Sequence, residues 1–340
     1  MAIVVEGYVH RVGEHCASTA LRNLLAFRGT ELSEAMVFGL ASGVGFVYLE
    51  NPELSPTRLF HGRTATLEAD LGPNTGIDLV DRAEPDDEAA WHELRRRLAA
   101  GEPVMLSTDT YHLGYHHTTS HFPGHRCVAV GYDDDTRSVL IADRKFPDYQ
   151  RCSFEELRAA RNAKDHPLPC ENRYGDFGGR RGMARPLPEA IATALARNAR
   201  SMLEPRDSAY PSGIPGMRLL SQRLAAWRDA PDWSWCARFG YQIVVKRGAG
   251  GSFFRSLAAD FLREAAAHVP EIGEAGLGAR MNEVAAGWRD LAALLFEQSE
   301  RETCDAELFR GAGRLAGELA DAEESLFGDA LALTARLGVR

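Results

Sequence analysis

A histidine and a cysteine stand side by side at positions 15 and 16, immediately before a segment with the spacing of an amphipathic helix. A thiol reacts as its thiolate, which the unpaired N–H groups and the dipole of a helix N-terminus stabilise, and a nearby histidine base adds to this effect. Cys16 is therefore the candidate nucleophile. The alternative is that Cys16 is a small buried apolar residue.

A candidate base lies in residues 124–146, where two apolar runs flank Asp-Asp-Asp-Thr. This pattern predicts a β-hairpin, in which paired residues have numbers that sum to about 268. His125 then lies opposite or next to Asp143. The pairing favours a cysteine–histidine–acid triad in which His125 is the base and Asp143 orients its ring. The alternatives are a hydrogen-bonded strand-end histidine and an aspartate in a turn or cap.

Four other histidines could line the pocket. His15 is a second candidate base or a pocket wall, although neighbouring helical residues point about 100° apart, so we expect it to be poorly placed to contact the thiol. His10, six residues before Cys16, could help the Cys16 backbone N–H to bind an oxyanion. His117 and His121 belong to a stretch, YHLGYHHTTSHFPGH, that we interpret as a substrate-facing loop leading to the base.

Metal binding is the rival interpretation of this stretch, which holds five of the chain's 11 histidines. Histidine-rich stretches can bind zinc, but the stretch lacks the HExxH spacing, and its glycines and proline favour a loop. We therefore assign no metal ligands, and zinc content is the measurement that decides.

The elements that must position these residues divide the chain by composition. Residues 1–175 mix short helices, including one predicted at residues 16–27, with strands. Residues 187–340 are rich in Ala, Leu, Arg and Glu with helical spacing, and the Gly- and Pro-rich stretch between these parts predicts a linker or long loop. The predicted C-terminal helices cover residues 187–203, 214–227, 253–267, 279–299 and 306–337, the last broken at Gly311, Gly313 or Gly317.

Composition limits the class of protein. The chain of 340 residues is 45% hydrophobic and 26% charged, with no apolar run long enough for a membrane span. Its net charge of −9 argues against general nucleic-acid binding and is compatible with a cationic small-molecule substrate. The N-terminus shows no secretory signal and the six cysteines are scattered, so we expect a cytoplasmic protein with free thiols.

The segments HCASTALRNLLAFRG, LSEAMVFGLASGVGFVYL, GHRCVAVGYDD and LIADRKF resemble the N-terminal domain of the butirosin-biosynthesis BtrH-like acyltransferase family. The segments SGIPGMRLLSQRL and KRGAGGSFFRSLAADFL are similar to the domain that commonly follows it. The resemblance implies an α+β fold, a papain-like or bacteriocin-leader-peptidase-like cysteine domain followed by a mostly helical domain for substrate binding or closure. Papain-like enzymes usually carry a glutamine where this chain has His10.

The resemblance also implies a reaction in which an acyl group passes from a carrier-protein thioester to an amine, with Cys16 as nucleophile, His125 as base and Asp143 as orienting residue. We therefore predict an amide-forming, cysteine-dependent acyltransferase of natural-product biosynthesis. It would need no cofactor of its own, since the phosphopantetheine of an acyl or peptidyl carrier protein brings the donor. Its partners would be that carrier and a small-molecule amine, without nucleic acid or membrane, and a homodimer stays open.

Two rival functions use the same residues. A thiol amidase or peptidase would pass the acyl group to water, and a non-catalytic binding module would use the shell without chemistry. Aminolysis requires a site that excludes water, which closure of the helical domain could provide. Wild-type levels of transfer by residues 1–180 alone would contradict that closure.

Overall fold

The computed structural model describes residues 2–164, 169–179, 181–205 and 209–339. In chain order, its strands are β1 Ala2–Val4, β2 Val44–Glu50, β3 Arg58–Arg63, β4 Leu79–Arg82, β5 Val104–Thr108, β6 His125–Asp133, β7 Ser138–Ala142, β8 Gln150–Ser153 and β9 Tyr174–Phe177. Its helices are α1 Cys16–Phe27, α2 Glu34–Leu40, α3 Leu67–Thr75, α4 Asp87–Ala99, α5 Phe154–Arg161, α6 Leu187–Leu203, α7 Gly213–Leu224, α8 Trp233–Val245, α9 Arg255–Ala265, α10 Pro270–Glu274, α11 Leu277–Ser299 and α12 Ala306–Arg336. The fold is mixed α+β.

The chain forms two compact units, and each is built from two stretches of sequence. The first unit comprises Met1–Val37 and Leu71–Ala184, and the second comprises Phe38–Asp70 and Arg185–Arg340. The division near residue 185 lies within the interval that the composition marks. Residues 38–70, however, belong to the same unit as the C-terminal residues. The roles of residues 1–175 as a catalytic domain and of residues 187–340 as a domain for substrate binding or closure stay predictions.

An antiparallel sheet organises the first unit. Among the described residues it has seven strands, six of them in the order β4-β9-β5-β6-β7-β8, while β1 pairs with β6. Strand β6 is buried along almost its whole length, from His125 to Tyr132. Helix α1 packs on β6 through its apolar stripe, which includes the fully buried Leu21, Leu24 and Leu25. The predicted bounds of α1 are confirmed.

The predicted hairpin is strands β6 and β7. Val128 pairs with Ala142 and Tyr132 with Val139, with an irregularity in register between Ala129 and Gly131. Asp143 therefore lies one residue beyond β7, near the start of β6 on the neighbouring strand. The hairpin thus brings the two polar ends together as the alternation of the sequence indicates.

The stretch predicted as a linker is partly wrong. Its residues Tyr174–Phe177 form strand β9, which pairs with β4 and with β5. Gly175 lies against Met105, and a Cβ at position 175 would lie 2.9 Å from the Cε at the flexible end of that side chain. A glycine-rich segment can still form a strand within a sheet. Residue 180 of this stretch lies outside the described residues.

The second unit is mainly helical and has an aromatic core. Its buried rings include Phe46 and Phe60 of the antiparallel pair β2–β3, Trp227, and Phe253 and Trp288, whose ring centroids lie 4.3 Å apart. Trp227 is thus a packing residue.

A fully buried ion pair joins Arg255 to Glu323 inside this core. Both carboxylate oxygens of Glu323 accept from the guanidinium, at 2.9 and 2.8 Å, and the indole N–H of Trp288 donates to one of them at 2.8 Å. The charges are paired and hydrogen-bonded, as buried charges must be.

Helix α12 corrects another prediction, because it runs unbroken through its three glycines. The absence of a side chain at Gly313 allows α7 to approach, since a Cβ there would lie 2.9 Å from the carbonyl oxygen of Ser221. The Ser221 hydroxyl donates to the Gly313 carbonyl at 2.7 Å. Glycine here permits helix contact and does not end the helix.

None of the helices in the described part of the chain has the length and apolar character needed to cross a membrane.

Candidate active site

Cys16 is the first residue of helix α1 and is partly exposed. His15 precedes it with extended backbone angles, φ −118° and ψ 134°, and caps the helix: its Nδ1 accepts a hydrogen bond from the Ser18 N–H at 3.4 Å. Within the described part of the chain, the N–H groups of Cys16 and Ala17 have no hydrogen-bond acceptor. The thiol therefore lies where two free N–H groups and the helix dipole favour negative charge.

A buried carboxylate, Glu34 of α2, fixes the turn that leads into this helix. Its Oε1 accepts hydrogen bonds from the His15 N–H at 2.8 Å and from the hydroxyls of Ser18 and Thr19 at 2.9 and 3.0 Å. Its Oε2 accepts from the Glu14 N–H at 3.0 Å. A single side chain thus holds the backbone at Glu14 and at the cap residue His15.

His125 and Asp143 meet as the hairpin predicts. Nε2 of His125 donates to Oδ2 of Asp143 at 2.8 Å, and both residues are buried. His125 also acts on the Cys16 thiol, whose pKa it lowers. Because Nε2 is used by Asp143, Nδ1 is the ring nitrogen that remains for the thiol. The structure therefore places the three side chains in the order thiol, imidazole and carboxylate.

Two residues that the sequence analysis did not select also bind Asp143. The Tyr115 hydroxyl and Nε2 of His116 donate to the same Oδ2, at 3.0 and 2.9 Å. The other carboxylate oxygen, Oδ1, is buried and has no hydrogen-bond partner among the described residues. Three donors therefore converge on one oxygen atom. The histidine stretch contains both residues, but a sequence without structure does not show which of its side chains turn inwards.

The charges of the site favour a thiolate paired with an imidazolium. Burial raises the pKa of Cys16, but the electrostatic effect of the neighbouring His15 and the interaction with His125 outweigh it and hold that pKa well below its ordinary value. Burial opposes the charged form of His125 as well, yet the Asp143 charge and hydrogen bond raise the pKa of His125 to about 10. The opposing charges thus stabilise each other across one hydrogen bond.

The supporting residues respond to the same surroundings. Burial raises the pKa of Asp143, but the His125 charge and the hydrogen bonds from His116 and His125 hold it well below its ordinary value. Burial lowers the pKa of His116 below that of free histidine, so at neutral pH His116 is an uncharged donor. Asp143 is therefore ionised and is paired with the imidazolium of His125.

The structure corrects the expectation for His15. We expected adjacent helical residues to diverge, but His15 lies outside the helix in an extended conformation, and it lowers the pKa of the Cys16 thiol. The 100° argument applies only inside a helix. His15 is therefore both the helix cap and a wall of the thiol's surroundings.

The geometry of His10 does not favour the predicted oxyanion role. Its Nε2 donates to the Phe146 carbonyl at 2.7 Å, and its Nδ1 accepts from the Asn23 amide at 3.5 Å. With both ring nitrogens engaged, His10 keeps no N–H for an oxyanion in this arrangement. His10 instead joins the segment before α1 to the segment after Asp143.

His117 and His121 are not among the described side chains that hydrogen bond to Asp143, and their role as pocket residues of a substrate-facing loop stays a prediction. His117 is exposed in a left-handed conformation, with φ 50°, after the turn Gly114–His116. His121 is bound to Asp109, at 2.6 Å from Nδ1 to Oδ2. Within this stretch, Tyr115 and His116 are the residues that contact Asp143. They lie in the turn Gly114–His116, whereas His117 follows it.

Two groups of side chains have the composition and proximity to hold a metal ion. The ligand atoms of His116, His125 and Asp143 lie within 4.8 Å of one another, and so do those of Asp109, His112 and His121. In the first group, His116 and His125 already donate hydrogen bonds to Asp143, which accounts for the short distances. The second group is separate from the thiol in sequence and contacts.

Comparison with known protein families agrees with this organisation. A family model described as "Butirosin biosynthesis protein H, N-terminal" matches residues 15–144, a range that begins at the helix cap and ends directly after Asp143. A second, described as "Domain of unknown function (DUF4872)", matches residues 155–330, about half of the chain. No curated protein matches the chain. The chain therefore belongs to the butirosin biosynthesis protein H-like family, in which this N-terminal domain is followed by the second domain.

Proposed function

We propose that the protein is a cysteine-dependent acyltransferase of natural-product biosynthesis, which moves an acyl group from a carrier-protein thioester to an amine. The observation that carries the proposal is the Cys16–His125–Asp143 group, with a thiol whose pKa is lowered and an imidazole whose pKa is raised to about 10. The family also supports a biosynthetic role.

The first half-reaction transfers the acyl group to the enzyme. The Cys16 thiolate attacks the thioester carbonyl, a new C–S bond forms and the carbonyl oxygen becomes an oxyanion. When this intermediate collapses, the bond to the carrier sulfur breaks and the carrier thiolate takes the proton of the His125 imidazolium. The products are acyl-Cys16, neutral His125 and the free carrier thiol.

The second half-reaction forms the amide. An uncharged amine attacks acyl-Cys16 and gives a proton to neutral His125 as the C–N bond forms. Collapse of the second intermediate breaks the C–S bond and releases the Cys16 thiolate. The site thus returns to the thiolate–imidazolium pair, with Asp143 orienting the ring throughout.

The N-terminus of α1 offers donors for both oxyanions. The N–H groups of Cys16 and Ala17 have no acceptor within the described part of the chain, and they belong to the first turn of the helix. Preorganised backbone donors of this kind stabilise developing oxyanions. We therefore assign the oxyanion role to these two groups in place of His10.

The wider proposal is supported by the family and is compatible with this chemistry. The N-terminal domain would be papain-like, with the C-terminal domain serving substrate binding or closure. The enzyme would need no bound cofactor, because phosphopantetheine on the carrier brings the donor. Its partners would be the carrier and a small-molecule amine, without nucleic acid or membrane, in the cytoplasm and in a monomeric or dimeric state.

Product analysis separates transfer from hydrolysis. The full chain is incubated with a carrier-bound acyl thioester, with and without a panel of amines, and the products are identified by mass spectrometry. The proposal predicts amide in the presence of a suitable amine, and loss of amide in Cys16→Ala. Free acid as the only product with every amine would instead favour the thiol amidase or peptidase. Unchanged cellular function of Cys16→Ala would favour the non-catalytic binding module.

A further inference from the structure

A second group of ligand-type side chains closes the base of the loop between β5 and β6. Asp109 directly follows β5, His112 ends the first turn of the loop, and His121 lies four residues before β6 begins. One ligand atom from each residue lies within 4.8 Å of the others. The two ends of the loop therefore meet at three side chains that are all able to bind a metal ion.

The carboxylate of Asp109 is the fixed part of this group. Asp109 is fully buried, and its Oδ1 accepts hydrogen bonds from the N–H groups of Tyr111 and Phe122 at 3.0 and 2.8 Å. These bonds come from both sides of the loop, so they hold the carboxylate in one orientation. Oδ2 remains for His121, whose Nδ1 lies 2.6 Å away.

The two imidazoles are arranged around one tyrosine. The ring of His121 stacks on Tyr111 with centroids 4.0 Å apart, and His112 meets Tyr111 edge-on at 5.2 Å. The two histidine rings are themselves 5.8 Å apart and inclined by 66°. Tyr111 therefore supports both histidines beside the buried carboxylate, while His121 is partly exposed and gives access from solvent.

Two imidazoles and one carboxylate are ligands that suit zinc and neighbouring transition metals, whereas magnesium and calcium prefer sites made of oxygen ligands. We propose that Asp109, His112 and His121 bind a divalent transition-metal ion of the zinc class, with the remaining coordination position open to water.

Such an ion would join the two ends of the loop between β5 and β6. The loop between Asp109 and His121 carries Tyr115 and His116, the two donors that bind Asp143 beside His125. Joining the ends of a loop restricts the conformations of the residues between them. The metal would thus stabilise the loop that supports the imidazole without taking part in acyl transfer.

The test is metal binding to the full chain, without reference to activity. Metal-free protein is titrated with Zn²⁺ by calorimetry, and Co²⁺ absorption reports histidine coordination. We expect one tight site in the wild type, and affinity weakened at least about tenfold in His112→Ala and in His121→Ala, as the loss of a ligand requires. His117→Asn, an exposed histidine of the same stretch, is the matched control and should bind like the wild type.

Two further variants locate the ion. His116→Gln removes a histidine next to Asp143, and Cys16→Ala removes the thiolate; both should retain the site. Loss of binding in either variant, with retention in His112→Ala, would overturn the proposal by placing the metal at the thiol or triad. Equal weak binding by every protein would also overturn it.

Melting curves show whether loss of metal binding in a variant arises from misfolding. Without metal, His112→Ala should melt close to the wild type, and Zn²⁺ should raise the melting temperature of the wild type but not of this variant. A similar rise in both proteins would contradict the assignment.

Discussion

The six thiols of the chain differ in pKa because their electrostatic surroundings differ. Burial raises the pKa of five of them, to about 12 for Cys152 and about 11 for Cys236. Burial acts on Cys16 as well, but two histidines lie against it and reverse the outcome. The difference arises from residues distant in sequence, and it is what distinguishes a nucleophile from a packing cysteine.

The lowered pKa predicts the pH dependence of alkylation. Cys16 is deprotonated above its lowered pKa, so its rate with iodoacetamide should stay nearly constant from pH 9 down through pH 7. An ordinary thiol loses about tenfold per pH unit below its pKa of about 8.5. Peptide mass spectrometry measures both rates, and Cys304, the other partly exposed thiol, is the internal control.

His125→Ala should raise the pKa of Cys16. The substitution removes the His125 contribution that lowers this pKa, while burial still raises it and His15 still opposes burial, so alkylation at pH 7 should slow and recover as the pH rises. A pH profile of Cys16 that is unchanged in His125→Ala would contradict the pairing.

Asp143→Asn tests the orienting carboxylate. The substitution keeps the shape but removes the charge, and an amide N–H₂ facing Nε2 of His125 would favour the wrong tautomer. We expect the transfer rate to fall by about 10²- to 10⁴-fold, as triads of this type show. Tyr115→Phe, which removes only one of three hydrogen bonds to Oδ2, should lose no more than about tenfold. Equal losses in the two variants would argue that the carboxylate charge is unimportant.

At the scale of elements, helix α1 and the β6–β7 hairpin were predictable because each depends on local patterns. The apolar stripe determines the buried face of the helix, and the Asp-rich turn determines which residues face each other across the hairpin. Tyr115, His116 and Glu34 were not selected, since their contacts with Asp143 or the cap of α1 join segments that no local pattern relates. Strand β9 and unbroken α12 were missed because glycine indicates a break unless a close neighbour is known.

The contribution of Glu34 to the start of α1 can be tested by substitution. Glu34→Gln places an amide N–H₂ against either the Glu14 N–H or the donors from Ser18, Thr19 and His15, so a buried donor loses its acceptor. The free energy of unfolding should fall by about 1–3 kcal/mol, measured by denaturant titration. Alkylation of Cys16 should also slow, since its helix turn loses support.

The control for this substitution is Glu31→Gln. Glu31 is exposed and pairs with the partly exposed Arg11 at 3.0 Å, an arrangement worth little in water. Its effect on stability should stay below about 0.5 kcal/mol. A loss in Glu34→Gln no larger than in this control would show that the cap of α1 does not depend on the carboxylate.

At the scale of the whole molecule, the sequence indicated two parts but not that each is built from two stretches. The segment Phe38–Asp70 contributes buried aromatic residues, including Phe46, Tyr48 and Phe60, to the unit completed by residues 185–340. Composition cannot show this, because the segment resembles its N-terminal neighbours in its mixture of glycines and apolar residues.

A fragment of residues 1–180 should therefore fail to form a stable domain. It keeps residues 38–70 but lacks the chain that buries their aromatic rings, so we expect a dye-binding, aggregation-prone protein without a cooperative melting transition. Calorimetry and binding of a hydrophobic dye measure this. A soluble fragment with a sharp transition would contradict the division of the chain into these two units. If the fragment does not fold, the exclusion of water from the site has to be tested in the full chain.

The most direct test of the acyl-transfer mechanism is the intact mass of the full chain after incubation with acyl thioesters, for the wild type, Cys16→Ala and Cys304→Ser. The mechanism predicts one acyl adduct in the wild type and in Cys304→Ser, mapped to Cys16, absent in Cys16→Ala and discharged when an amine is added. An adduct that persists in Cys16→Ala, or no adduct with any thioester, would contradict the role of Cys16 as the nucleophile.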